Sequence, residues 1–218
     1  IAGVAGNGQS ELLNILAGII APTAGHISYH DHHIDAGNPA DPQKIKSLGV
    51  AHVPEDRHAS GIVLPFTAAE NAALGYEKEV SGGYGHAFLS PQSLRARCAK
   101  LMQRFDVRPA DPNLKSSLFS GGNQQKLVLA REMSDTPSVL LIGQPTRGVD
   151  IGAIEFIHQQ LIDMRDKGCA IILVSVELDE IMSLSDRIMV MNNGRIMGLV
   201  EQATANVKDI GLLMAGVQ

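Results

Sequence analysis

Four apolar residues, Leu12, Leu13, Ile15 and Leu16, recur at helical spacing and stop at Gly18, which predicts a helix over residues 10–17. A strand-and-turn region follows over 26–34, and the run SLGVAHVP (47–54) reads as a buried strand. Residues 56–90 are Gly-rich and irregular, with a short helical stretch over 68–74. Leu94, Cys98, Leu101 and Phe105 mark an amphipathic helix over 91–105. A loop over 106–119 leads to SGGNQQKLVLARE, which is helical in period from Gln124 onward, with the helix opening near Asn123. VLLIGQP then predicts a strand, 151–167 a helix ended by Gly168, AIILVSV a strand, and 177–184 a helix. RIMVMNNGRIMGLV predicts a hairpin turning at NNG, and 207–214 a last helix. Strand and helix alternate, so the fold class is α/β with a mostly parallel central sheet.

Composition narrows the function classes. The chain has 218 residues, 44% of them hydrophobic and 19% charged, enough apolar material for a sizeable core. Its net charge is −5 and it has no basic block, so a nucleic-acid partner has no electrostatic support. Cys98 and Cys169 lie far apart and read as reduced thiols. The first residues carry no leader-peptide pattern, and the apolar runs are too short to cross a bilayer. Any membrane role is therefore expected to run through a partner.

The opening IAGVAGNGQSELL carries the chemistry. A phosphate-binding loop reads G-x-x-x-x-G-K-[ST], and here Gly3-Val4-Ala5-Gly6-Asn7-Gly8-Gln9-Ser10 supplies all of it except the lysine, replaced by Gln9. Such a loop follows a strand, of which only Ile1 and Ala2 are present; the chain is expected to be a fragment whose N-terminal strands lie upstream.

Further segments follow in order. Phe119 to Lys126 (FSGGNQQK) resembles the L-S-G-G-Q signature of ABC-type ATPases, and Val139 to Asp150 (VLLIGQPTRGVD) resembles their Walker B strand and D-loop. Ala51 to Arg57 (AHVPEDR) resembles their Q-loop, and Val174-Ser175-Val176 stands where that family has its switch histidine. Within the family, VPEDR, SGGNQQK, PTRGVD and IGLLMAGV resemble the C-terminal ATPase half of the tandem ATP-binding protein of sugar and nucleoside importers. GVAGNGQSE with QPTRGVD is most similar to the nucleoside branch. The resemblance implies a P-loop NTPase fold spanning 1–218, with a helical subdomain at about 65–135. It implies ATP and Mg²⁺ as cofactors, a second ATPase domain packed head-to-tail, integral membrane permease subunits as partners, and a peripheral location on the cytoplasmic face of the membrane.

The family's site residues carry over position by position. Gly3, Gly6, Asn7, Gly8, Gln9, Ser10 and Glu11 would cradle the phosphates, with Ser10 offering its hydroxyl to Mg²⁺. Gln9 keeps a donor and loses the charge, at a cost of about 1.5–3 kcal/mol, roughly 10- to 100-fold in affinity. Gly143 replaces the metal-shell aspartate, and Gln144 replaces the glutamate that polarises the attacking water. Val176 replaces the switch histidine, and Glu55 replaces the Q-loop glutamine and sets a negative charge near the metal. Phosphoryl transfer depends on positioning and electrostatics, so joint loss at these positions should nearly abolish hydrolysis.

The signature, by contrast, is intact. Ser120, Gly121, Gly122, Asn123 and Gln124 open a helix whose amide end would face the partner domain's ATP. Asp150 is open to two readings, contact with the opposite domain or an N-cap before Ile151. His30-Asp31-His32-His33 reads as a solvated hairpin tip, because adjacent ligands on an extended chain point to opposite faces. Met182, Met189, Met191 and Met197 are expected to fill core positions. Phe66 and the Glu70-Asn71 pair are candidates for contact with membrane subunits, against a loop packed on its own domain. Two other functions compete: a non-transport ABC ATPase and a purely regulatory nucleotide-binding domain. Ser10 and Ser120 are only 110 positions apart (120 − 10) with no sustained heptads, which excludes the long-coiled-coil repair type.

Overall fold

The computed structural model describes residues 1–80 and 89–217, which form two compact units. The first comprises residues 1–55, 137–145 and 162–218, and the second residues 56–136 and 146–161.

In the first unit the chain enters α1 (Gln9–Leu16), then the hairpin β1 (His26–Tyr29) and β2 (His32–Asp35). Next come α2 (Pro42–Ser47) and β3 (Val50–Val53). The predicted strand over 47–54 is thus shorter, because Asp41 caps a helical turn by accepting from Lys44 N–H at 2.8 Å, and Pro42 suits its first position. The second unit carries α3 (Ala68–Ala73), α4 (Pro91–Arg104) and α5 (Gly121–Glu132). β4 (Val139–Gly143), α6 (Ile151–Asp166), β5 (Ala170–Val174) and α7 (Leu178–Leu184) follow. The chain ends in the hairpin β6 (Arg187–Asn192) and β7 (Arg195–Glu201), then α8 (Val207–Met214).

β3, β4 and β5 pair in parallel in that order, with Val53 opposite Ile142 and Gly143 opposite Val174. All five residues of β4 except Val139 are buried, the run of apolar residues that a parallel strand covered on both faces requires. Ala2 bridges in parallel to Ser175 on one side and Val190 on the other, so the residue before the glycine loop is held on two sides. Leu13 and Ala17 of α1 pack with Tyr29, Ile34, Ile45, Val50, Leu141 and Val174 in one buried cluster, which fixes α1 over the sheet.

In the second unit α3, α4 and α5 pack on one another around Ala72, Cys98, Leu101, Met102, Leu127 and Met133. Thr67 and Glu70 close a capping box at the start of α3. Asn71 is buried at 1% exposure, accepting from Val63 N–H at 2.8 Å and donating to Val63 O at 2.9 Å and Ser116 Oγ at 2.8 Å. It is an internal tie, not a contact offered outward, whereas Phe66 is exposed. Residues 81–85 of the irregular glycine-rich stretch lie outside the described residues. Of the four methionines expected in the core, only Met191 is buried; Met182, Met189 and Met197 are half-buried, because their strands and helix present a second face. Among the described residues no helix is long and apolar enough to cross a membrane.

Candidate functional site

The phosphate loop joins the Ala2 bridge to α1. Gly8 caps α1 at φ 101°, a left-handed conformation that a side chain would strain, and no side chain caps the helix. Its first-turn amides are thus left for an anion. Asn7 pins the loop to the turn between β6 and β7: its Oδ1 accepts from Asn193 N–H at 2.7 Å, and its carbonyl accepts from Gly194 N–H at 2.9 Å. Its Nδ2 donates to Val4 O at 3.0 Å.

Gln9 is folded back into this loop and is 4% exposed. Its Oε1 accepts from Asn7 N–H at 3.1 Å and its Nε2 donates to Val4 O at 3.2 Å. The donor that sequence reasoning left for a phosphate is therefore spent inside the loop, and one loop amide is spent with it. Gly3 makes this possible, since a Cβ there would overlap Gln9 Nε2 and come within 2.7 Å of Met191 O.

The next residue meets the sheet edge. Ser10 Oγ donates to Glu55 Oε2 at 2.6 Å, so the hydroxyl in the metal position and the carboxylate after β3 are in direct contact. Gly143, at the end of β4, is buried against the same glutamate: a Cβ there would overlap Glu55 Cγ and lie 2.9 Å from Leu13 Cδ2. Ser10 and Glu55 are hard oxygen donors of the kind Mg²⁺ takes together with phosphate oxygens, so the residues present fit that ion. Among the described residues no group of three or more His, Cys, Asp or Glu forms a metal cluster, the tip of the β1–β2 hairpin included.

Gln144 follows with φ 47°, a left-handed backbone that a non-glycine residue adopts only under constraint. Its N–H donates to Val174 O at 2.8 Å, and its Oε1 accepts from Val176 N–H at 3.3 Å. The residues in the base and switch positions are thus tied to each other. Neither is a proton acceptor at neutral pH: one is an amide, the other an exposed valine. Glu11 is exposed in the first turn of α1, where a carboxylate suits the positive end of the helix but repels an incoming anion.

The signature segment lies in the second unit. Ser120 is exposed and is the N-cap of α5, two residues earlier than the period alone suggested. Its Oγ accepts from Asn123 N–H at 3.4 Å and from Asn123 Nδ2 at 2.9 Å, while Asn123 Oδ1 accepts from Arg108 N–H at 2.6 Å. Gln124 turns inward, donating to Ser116 O at 3.0 Å and Phe119 O at 3.2 Å and bonding the His58 ring at 2.8 Å. Gly122 is buried, and a Cβ there would lie 3.0 Å from Asp150 Oδ2. Asp150 itself accepts from Ala153 N–H at 2.9 Å as the cap of α6.

Two participants escaped sequence reasoning. The Asn193-Gly194 turn holds the phosphate loop across 186 positions, a contact with no local signal. Arg57 donates to Arg147 O at 2.9 Å, and a Cβ at Gly121 would lie 2.8 Å from its Nη2; the Asp56-Arg57 pair after β3 was its only trace in the sequence.

A family model described as ABC transporter matches residues 1–147. The chain is 45% identical over 217 residues to the nucleoside import ATP-binding protein NupA of Lactococcus lactis subsp. cremoris, covering 99% of this chain and 42% of that one. It is 43% identical over 217 residues to the guanosine import ATP-binding protein NupO of Bacillus subtilis, with the same coverages of 99% and 42%. It is 41% identical over 218 residues to the glucose import ATP-binding protein TsgD13 of Haloferax volcanii, covering 99% and 39%. The chain thus spans about two fifths of the length of these relatives. Among solved structures, a dimeric post-hydrolysis state of the ATP-binding cassette MJ0796 bound to ADP and Pi superposes with a TM-score of 0.76 at 23% identity, over 92% of this chain and 83% of that one. A nucleotide-free ATP-binding cassette from an ABC transporter superposes with a TM-score of 0.75 at 18% identity, over 98% and 82%. At these identities the likeness is one of fold.

Proposed function

The chain belongs to the ABC transporter ATPase family, and from that membership we propose that it is an ATP-binding module of a nucleoside importer whose own site holds ATP without cleaving it. Its Ser120-led helix completes the ATP site of a second ATPase domain packed head-to-tail. The two nucleoside-import relatives, at 45% and 43% identity, support the substrate class ahead of sugars. The work of the complex is then uptake driven by the partner's hydrolysis, through integral membrane permease subunits at the cytoplasmic face.

One observation carries this reading: Gln144 Oε1 is engaged by Val176 N–H. A water placed against the γ-phosphate would find no carboxylate in the base position and no imidazole in the switch position. Amides of the loop and of α1 still offer the nucleotide an anion nest, with Gly8 shaping its floor. Gln9 closes the loop from within and adds no charge, so binding is weaker than with a lysine but retained. When bound, Mg²⁺ supplies charge neutralisation of the phosphates, and Ser10 and Glu55 are the residues that would hold it. On the other unit, exposed Ser120 leads α5 with its amide end open to a partner's phosphates.

The test is Ser120→Arg in the assembled transporter. It should abolish ATPase activity and uptake while leaving nucleotide binding at this chain's own loop unchanged. Activity surviving the substitution would contradict the head-to-tail role.

A further inference from the structure

We propose that Glu55 has taken over the metal-shell carboxylate that the family draws from the end of β4, so that the site is rearranged and not emptied. The inference rests on the reading that this loop holds a nucleotide.

β3 and β4 are parallel neighbours with Val53 opposite Ile142, so the residues just past their ends stand side by side at one edge of the sheet, beside α1. The next β4 residue is Gly143, and Glu55 lies two residues beyond Val53. The space over Gly143 is filled. A Cβ there would overlap Glu55 Cγ and come within 2.9 Å of Leu13 Cδ2 and 3.1 Å of Glu55 N. Real side chains essentially never pack so closely, so an aspartate at 143 and Glu55 in its present rotamer exclude each other. The glutamate stem crosses the space that the aspartate would use, and its head reaches the hydroxyl of Ser10 at 2.6 Å, the length of a charge-assisted bond.

The pairing that Mg²⁺ needs, one carboxylate beside one hydroxyl facing the phosphate nest, is therefore present. Its carboxylate enters from β3 instead of β4. Loss of the aspartate and presence of the glutamate are two halves of one exchange, and Gly143 is the half that makes room.

Mn²⁺, a paramagnetic stand-in for Mg²⁺, tests the exchange through electron paramagnetic resonance of the bound ion and ATP affinity with and without metal, measured on the full chain. The unaltered chain should bind ATP at least about tenfold more tightly with Mn²⁺ than with EDTA. Glu55→Gln, which keeps shape and removes charge, should cut that enhancement below about threefold while leaving affinity in EDTA unchanged. Gly143→Asp alone should also lose it, by crowding Glu55, and the double variant E55A/G143D should regain it to within about threefold. Circular dichroism of each variant separates these losses from unfolding. Full enhancement in Glu55→Gln with an unchanged Mn²⁺ spectrum would overturn the proposal. So would ATP binding by the unaltered chain that metal does not strengthen, or no recovery in a folded E55A/G143D. In these cases the nucleotide-holding reading stands. No ATP binding by the unaltered chain in either condition would instead overturn that reading, and this inference with it.

Discussion

Gln144 Oε1 accepts the backbone N–H of Val176 at 3.3 Å, so the residue in the catalytic-base position spends its side-chain acceptor on the residue in the switch position. Restoring one of them should therefore achieve little. Gln144→Glu alone should leave single-turnover hydrolysis at this site within about threefold of the unaltered chain, because groups that act as a unit fail singly. Adding Val176→His should raise it by more than the product of the two single effects. Release of labelled phosphate from prebound ATP measures both.

Gln9 makes a second prediction. A lysine there has no acceptor for Asn7 N–H, so Gln9→Lys frees that amide for phosphate and adds a charge. ATP affinity by calorimetry should rise roughly 10- to 100-fold, equivalent to about 1.5–3 kcal/mol. Gln9→Ala should not raise it, since the two bonds that shape the loop are lost with no charge gained.

Asn71 was a candidate for outward contact and proves to be a buried tie between Val63 and Ser116. Asn71→Ala would leave Val63 N–H and Val63 O without their side-chain partners. It should destabilise the chain by about 1–3 kcal/mol in denaturant titration. Phe66→Ala, at an exposed position, should stay within about 0.5 kcal/mol.

Cys98 and Cys169 are buried and unpaired by disulfide. Burial pushes the Cys98 thiol up to about 12 and raises that of Cys169. A raised thiol is protonated throughout the neutral range, so its contribution to stability is complete below the ordinary thiol range and declines only as pH climbs toward about 12. Native protein at pH 8 should react with a thiol reagent only as fast as it opens, and denatured protein at once.

Much of the fold was legible because it follows local rules. Val207–Met214, the NNG hairpin and the glycine that ends α6 all announce themselves by period or turn chemistry. The helix Pro42–Ser47 did not, because six residues with one buried apolar position show no period. At the site, the sequence gives away which residues depart from the family motif but not what each does instead. Gln9 turning inward depends on the bare Cα of Gly3, and Glu55 reaching Ser10 depends on the bare Cα of Gly143. Both are contacts between segments, set by a missing side chain elsewhere, and no spacing encodes them. Asp150, open to two readings in the sequence, is seen capping α6.

The most direct measurement of the central claim is ATP binding with Mg²⁺ to the full chain, followed by recovery of the bound nucleotide. The account predicts a Kd in the micromolar range, about −8 kcal/mol, with the nucleotide recovered as intact ATP. Recovery as ADP, or no binding up to about 1 mM ATP, would contradict it.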